Sequence, residues 1–389
     1  MRYFTSPYNF IQQDCRSVKI YDTTLRDGEQ TPGVKFTKEQ KVEIARRLDA
    51  VGVNTIEAGF PVISQYDEDA VKAVASEHLN ADVICLCRSK QRDIDAALRA
   101  GVDGVIIFLA VSDLHLKYKL HLNLATAVNM AAESIVYAKD HGLFVQLSAE
   151  DATRTSLDSL TALYSAAEES GADRLGIADT TGCIRPAGMH RLVESLRKIF
   201  DTELSVHCHD DYGLAVANSL AAYEAGIDFI SVSVNGLGER CGNASLEEIV
   251  MSLYALYGVD LKFNISLLKE LSDTVSKFSG VPIPINKAIV GPNAFRHESG
   301  IHVAAVMRCP FTYESYEPQL VGNERKLVFG RHSGTDGVRE KLKSLGFALS
   351  EEELAEVVKR LKTLPMDSYL DNGGLSDFAK KVLNERGKS

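Results

Sequence analysis

Short β-rich runs alternate with longer amphipathic runs through the first two thirds of the chain, and this beat restricts the fold more than any other feature. Residues 18–21, 55–58, 83–86, 104–109, 144–147, 174–178, 204–208 and 229–232 are brief, apolar and rich in β-branched residues. Between them lie stretches with helical periodicity, such as 37–51, 89–100, 126–141, 156–170, 186–200 and 215–225. Glycines stand where several of these should end, at Gly52, Gly101, Gly142, Gly171 and Gly226, and Pro186 stands near a start. Eight βα beats over about 250 residues predict an α/β fold of the (β/α)8 barrel type. A doubly wound open sheet is the alternative. No strand-linked Gly-x-Gly-x-x-Gly supports it, since Gly236-Leu237-Gly238 lacks the third glycine.

After about Ser266 the beat stops. Residues 267–280 read as helix, followed by a Pro- and Gly-rich irregular stretch with Pro282, Pro284 and Pro292. Residues 350–364 return to helix, with Glu351, Glu352 and Glu353 in the first turn and Lys359, Arg360 and Lys362 near the end, the order that complements a helix dipole. We therefore expect a barrel over 1–285 and a smaller, mainly helical region over 286–389.

In such a barrel the chemistry sits on the loops that follow the strands. Polar residues gather there: Asp22 to Gln30 after the first strand, Glu57 at the second, Arg88 at the third, Ser112, Asp113 and His115 after the fourth, Glu150 and Asp151 after the fifth, and Asp179 and Thr180 after the sixth. His207 and His209 follow the seventh, and Asn235 to Asn243 the eighth. In a strand, residues i and i+2 point the same way, so His207 and His209 project together. With Asp27 they make two imidazoles and a hard carboxylate, a set that suits a divalent cation and leaves positions open for substrate. Asn243 offers a further carbonyl oxygen. A 2-oxo acid would chelate such a cation, and Arg26 can donate hydrogen bonds to the oxyanion that develops on its ketone. The competing readings are histidines that pack or bond locally and an Arg26 salt bridge at the barrel mouth.

A formal charge of −10 argues against general binding to nucleic acid or a membrane surface. Cys15, Cys85, Cys87, Cys183, Cys208, Cys241 and Cys309 are odd in number, scattered, and free of Cys-x-x-Cys pairs, which points to a reduced, cytoplasmic setting without a disulfide framework. The start, Met1-Arg2-Tyr3-Phe4-Thr5-Ser6-Pro7, lacks the apolar core of a signal peptide, and no apolar run reaches membrane-spanning length.

Three motifs, Asp22-Thr-Thr-Leu-Arg26-Asp27-Gly-Glu-Gln30, His207-Cys-His209-Asp-Asp-Tyr-Gly-Leu-Ala-Val-Ala-Asn218 and Gly236-Leu-Gly-Glu-Arg-Cys-Gly-Asn243, resemble the signatures of the 2-isopropylmalate synthase/homocitrate synthase family. The resemblance covers about residues 17–345. It implies a Claisen-type condensation of acetyl-CoA with a 2-oxo acid, followed by thioester hydrolysis, aided by a divalent metal (Mg, Mn or Zn). By that resemblance Asp27, His207, His209 and Asn243 match metal ligands and Arg26 the residue polarising the ketone. Glu150 and Thr180 match substrate-contacting positions. His297 and Glu298 match an element implicated in proton abstraction, with Tyr313 nearby. The second region is expected to bring these to the active site of the partner subunit in a homodimer.

The acceptor is less constrained. Val111-Ser-Asp-Leu114, Glu150-Asp-Ala-Thr-Arg154 and His302-Val-Ala-Ala-Val-Met-Arg308 look most like homocitrate synthases of the nitrogenase-cofactor and methanogen coenzyme B type, which implies 2-oxoglutarate or a longer 2-oxodicarboxylate. Members feeding leucine synthesis usually carry an added C-terminal regulatory domain, and a chain ending at Ser389 is expected to lack one. Yet Leu86 and Gln146 stand where lysine-pathway relatives place a His and an Arg near the distal carboxylate. Arg88 and Arg154 are the candidate replacements. Leu86 equally suits 2-oxoisovalerate or pyruvate, the acceptors of 2-isopropylmalate and citramalate synthases. A metal-dependent acyl-CoA lyase and a non-catalytic relative are the rival classes.

Overall fold

A computed structural model describes residues 5–9, 17–365 and 368–386. Among these residues, eight parallel strands close into a barrel in sequence order: β1 (Lys19–Asp22), β2 (Thr55–Glu57), β3 (Asp82–Arg88), β4 (Gly104–Ala110), β5 (Phe144–Glu150), β6 (Arg174–Asp179), β7 (Glu203–Cys208) and β8 (Phe229–Val232). Closure is direct, with Lys19 to Asp22 paired to Phe229 to Val232. The expected barrel is therefore the fold, and each strand overlaps its sequence-predicted run.

The helices begin and end where local chemistry says they should. Thr37 and Gln40 form a reciprocal capping box at the start of Lys38–Val51, and Gly52 closes that helix at φ 107°. Pro186 opens Pro186–Arg197, where its missing N–H leaves no intrahelical acceptor unsatisfied. Among the longer helices of the barrel, two escaped the periodicity. Gln65–Ala75 buries only Ala70, Val71 and Val74, a stripe too thin to read. Leu246–Ala255 is apolar nearly all round, so it shows no face.

Pairing register sorts the interior of the barrel. Leu86 pairs with Ile106, Ile106 with Gln146, and Phe108 with Ser148. Tyr21, Ile84, Leu86, Ile106 and Phe229 pack together inside, with Phe60 and Phe108 partly buried against them. This core is the floor of the site described below.

The chain divides into two compact units, residues 12–283 and a second that holds Pro284–Ser389 and the described residues 5–9. The second unit is mainly helical. Its core is built from Val303, Val338, Leu342, Leu354, Val357, Leu361, Leu375 and Val382. Helix Gly300–Arg308 packs on Thr335–Ser344 at the closest approach glycine permits, because a Cβ on Gly300 would lie 2.2 Å from the Cα of Gly334. Helix Glu351–Leu361 carries the acidic first turn and basic end read from the sequence, with a Ser350–Glu353 capping box. Six cysteines are free, and Cys15 lies outside the described residues. Among the described residues no helix is long and apolar enough to cross a membrane.

Candidate active site

A cavity of about 270 Å³ opens at the C-terminal mouth of the barrel, lined by residues of β1, β3, β4, β5, β6 and β7 and of the loops after β1, β6, β7 and β8. Arg26, Asp27, Leu86, Glu150, Thr180, His207 and His209, all singled out from sequence, line it together.

β7 aims its histidines as period-2 geometry requires. The rings of His207 and His209 meet edge to face with centroids 4.8 Å apart, and their Nε2 atoms are 3.2 Å from each other. Asp27 Oδ2 lies 3.2 Å from His207 Nε2 and 3.7 Å from His209 Nε2. Ligand atoms about 2.1 Å from one cation sit roughly 3.0 to 3.4 Å apart in octahedral or tetrahedral geometry, so this spacing fits a shared ion. His207 Nδ1 meets Ser231 Oγ at 2.9 Å, which orients the ring and leaves Nε2 for the cation. Burial, reinforced by the neighbouring His207, pushes the His209 imidazole down to about 3, which favours the neutral form. Burial alone would raise the Asp27 carboxyl, but Arg26 and His207 hold it well below the usual carboxylate range. The trio can hold a metal ion.

Asn243 reaches the trio through the loop after β8. It pairs with His209 in an isolated antiparallel bridge, and its Nδ2 donates to Asp27 Oδ2 at 3.2 Å and to the Leu237 carbonyl at 2.9 Å. Its Oδ1 is buried without a partner, the kind of orphaned oxygen a cation would satisfy. The glycines of this loop make room for it: a Cβ on Gly238 would fall 2.3 Å from Asn243 Nδ2. Thus the glycine pair that weakly hinted at dinucleotide binding serves the Asn243 site.

Arg26 is held in a fork. Its Nε donates to Glu57 Oε1 at 2.7 Å and its Nη2 to Glu57 Oε2 at 3.1 Å, while Nη1 lies 3.5 Å from Asp27 Oδ2. Glu57 is fully buried and also accepts from Thr23 Oγ1 at 2.6 Å. Arg240 ties the later loops together. It donates twice to Asp211 at 2.8 Å and once to the Thr180 carbonyl at 2.7 Å.

The distal wall, away from the trio, is Leu86, Ile106 and Phe108, with Tyr21 and Ser148 as its polar members. Tyr21, Ile106, Phe108 and Ser148 were missed from sequence. Strand parity was the available signal, since they share the inward alternation of Leu86 and Glu150. Arg88 does not line this cavity. Its guanidinium donates to both oxygens of buried Asp93, at 2.7 and 3.0 Å, which draws it to the start of helix Gln91–Ala100. Arg154 is likewise held by Asp151, at 2.7 Å.

The remaining sequence candidates belong to the second unit. His297 is partly buried, with Nε2 2.9 Å from Glu314 Oε1, and Glu314 is itself gripped by Arg325 at 2.6 to 3.1 Å. Glu298 lies against Gly330, where an added Cβ would meet its Oε1 at 3.0 Å. Tyr313 is half exposed and stacks on His302 with centroids 3.9 Å apart. His302, absent from the sequence candidates, is exposed beside Ile301, which is 77% exposed.

Residues 17–275 match the HMGL-like family model, and residues 289–368 match the homocitrate synthase post-HMGL domain-like model. Homocitrate synthase AksA of Methanopyrus kandleri is 54% identical over 371 residues, covering 95% of this chain and 94% of the relative. The 2-isopropylmalate synthase of Methanocaldococcus jannaschii is 48% identical over 351 residues, covering 89% of this chain and 68% of the relative. Among solved structures, the HMG-CoA lyase of Bacillus subtilis matches with a TM-score of 0.63 at 23% identity, over 73% of this chain and 97% of that one, a likeness of barrel fold. The chain belongs to the HMGL-like family of barrel enzymes and, within it, to the 2-isopropylmalate synthase/homocitrate synthase family of acyltransferases.

Proposed function

We propose that the chain condenses acetyl-CoA with a 2-oxo acid in a homocitrate synthase-type reaction, with 2-oxoglutarate or a longer 2-oxodicarboxylate as acceptor. The observation that carries this reading is the Asp27–His207–His209 trio beside the Arg26 fork, at the rim of one cavity. Asp27, His207 and His209, with Asn243, would hold a divalent cation, Mg, Mn or Zn, whose chemistry there is Lewis-acid polarisation of the acceptor ketone. Arg26 donates to the oxygen on which negative charge grows, already oriented by Glu57. Thr180 and Glu150 position the acceptor. The acetyl methyl gives a proton to a base, its carbon bonds to the ketone carbon as the C=O π pair moves onto the ketone oxygen, which takes up a proton to become a hydroxyl, and water then cleaves the thioester to release free thiol and a carboxylate.

For the base we favour His302 over His297. His297 is held by Glu314, which Arg325 also grips, whereas His302 is exposed with Tyr313 stacked on it. In this reading the second unit delivers the pair to the mouth of a partner subunit's barrel in a homodimer. Exposed apolar side chains on that mouth, Tyr118 at 67% and Tyr212 at 74%, suit such a contact.

Relatives named homocitrate synthase AksA at 48 to 54% identity, each covering at least 93% of both chains, support a dicarboxylate acceptor. One observation favours a second reading. The distal wall of Leu86, Ile106 and Phe108 is apolar, and both lining arginines already face carboxylates, which suits the isopropyl group of 2-oxoisovalerate or the methyl of pyruvate. Thiol release from acetyl-CoA with 2-oxoglutarate, 2-oxoadipate, 2-oxopimelate, 2-oxoisovalerate, pyruvate and oxaloacetate separates the two. Highest kcat/KM with a dicarboxylate supports the first reading. Highest kcat/KM with 2-oxoisovalerate or pyruvate replaces it with the second. Thiol release without any acceptor would point to hydrolysis.

A further inference from the structure

Glu150 presents a carboxylate to a cavity proposed to receive an anionic acid. Two like charges at that range repel unless something offsets them. The offset comes from outside the lining. Lys119 Nζ donates to both oxygens of Glu150, at 2.5 and 2.7 Å. The lysine sits on Leu116–Leu120, a turn of wide π-helical geometry after β4. Leu116 anchors that turn in the core, and His121 closes it in the left-handed region at φ 55°, a conformation that costs energy for a residue with a Cβ.

The other partner is equally constrained. Asp151, next to Glu150, adopts φ 61° and is pinned three ways: its carboxylate accepts from Ser112 Oγ at 2.6 Å and Arg154 Nε at 2.7 Å, and its N–H donates to Thr180 Oγ1 at 2.8 Å. His115 flanks both acids at 3.8 Å, farther than a hydrogen bond. Two loops with left-handed residues thus converge on one ion pair at the cavity wall, with Lys119 on its solvent side and Glu150 on its cavity side.

We infer that Lys119 is a positioning residue for the condensation: it fixes the Glu150 carboxylate in one orientation and offsets its charge, so that an anionic acceptor can occupy the cavity beside it. This rests on the function proposed above, with Glu150 as the group that touches the acceptor. Lys119 itself acts only through Glu150, so its substitution matters only while that carboxylate is present.

The test is a double-mutant cycle on the full chain with a divalent metal supplied, reading thiol release against the acceptor that serves the wild type best. Lys119→Met is expected to raise the acceptor KM about tenfold, equivalent to about 1.4 kcal/mol, while leaving the acetyl-CoA KM and the melting temperature unchanged. Lys119→Arg should recover most of the loss. In the Glu150→Gln background, Lys119→Met should add less than about a twofold change. An unchanged acceptor KM in Lys119→Met, or an effect of equal size with and without the Glu150 carboxylate, overturns the inference while the wild type still turns over. A wild type that releases no thiol with any acceptor overturns the proposed function, and the inference with it.

Discussion

Glu57 grips Arg26 through both carboxylate oxygens, at 2.7 and 3.1 Å, and so fixes the guanidinium that lines the cavity beside Asp27. A fork of this kind leaves the Arg little rotational freedom, and its Nη1 lies beside Asp27 and donates to Gln30 Oε1 at 3.3 Å. Glu57→Gln keeps the shape but removes the charge. Its kcat is expected to fall about a hundredfold, the scale for loosening a donor to a developing oxyanion, with a smaller change in acceptor KM. Arg26→Lys should lose at least as much, because an ammonium cannot fill the fork. Steady-state thiol release with both substrates varied checks each.

His297 and His302 should behave as opposites. His297→Asn breaks a partly buried cluster with Glu314 and Arg325, so it is expected to lower stability by about 1 to 3 kcal/mol, read by denaturant unfolding. His302→Asn removes an exposed ring and should leave stability nearly unchanged while thiol release falls at least about a hundredfold. Full activity in His302→Asn would return the role to another base.

Asp22 gives a pH dependence with a definite sign. Burial, opposed by hydrogen bonds from Thr24, pushes its carboxyl up to about 7, and Oδ2 has no partner. The unfolded chain releases this proton near the ordinary carboxyl value of 3.8, whereas the native state keeps it to about 7. Between those values the native state binds more protons, so stability falls as pH rises through the window and is level above it. The loss is on the order of 4 kcal/mol. Asp22→Asn keeps the acceptor for the Thr24 N–H and has no proton to lose, so it should be the more stable protein at pH 8 and match the wild type at pH 4. Chemical denaturation at the two pH values reads the difference.

Gly238 tests the Asn243 site without replacing a proposed ligand. A methyl there would fall 2.3 Å from Asn243 Nδ2 in a buried loop, so Gly238→Ala must move the amide off Asp27. Mn(II) affinity, measured by titration, is expected to weaken about tenfold to a hundredfold, the usual effect of disturbing groups that support a metal's ligands.

Much of this was legible in the chain. The eight strands followed from their spacing, and the trio from His-x-His parity together with the Asp27 loop, because both depend on local periodicity. The distal wall was less visible. Ile106 and Phe108 read as generic strand core, and only the closed barrel shows that their alternation faces a cavity. Arg88 was misleading for a simple reason: Asp93, five residues on, captures it through two hydrogen bonds. His297 was singled out by the family resemblance, while His302, five residues on, entered only as the first residue of the His302–Arg308 segment. Separating them took burial and partners, Glu314 and Arg325 for one and Tyr313 for the other, which are contacts between distant parts of the second unit. Lys119 carried no signal at all, since its pairing with Glu150 spans 31 residues.

The most direct measurement is thiol release from acetyl-CoA by the chelator-treated protein, before and after Mg, Mn or Zn is restored, in wild type and in His207→Ala and His209→Ala. Release should require both a 2-oxo acid and the metal, return with the metal in wild type, and stay at least about a hundredfold lower in either variant. Undiminished release after chelation, or full metal-restored activity in His207→Ala, would contradict a cation held by Asp27, His207 and His209 as the centre of this site.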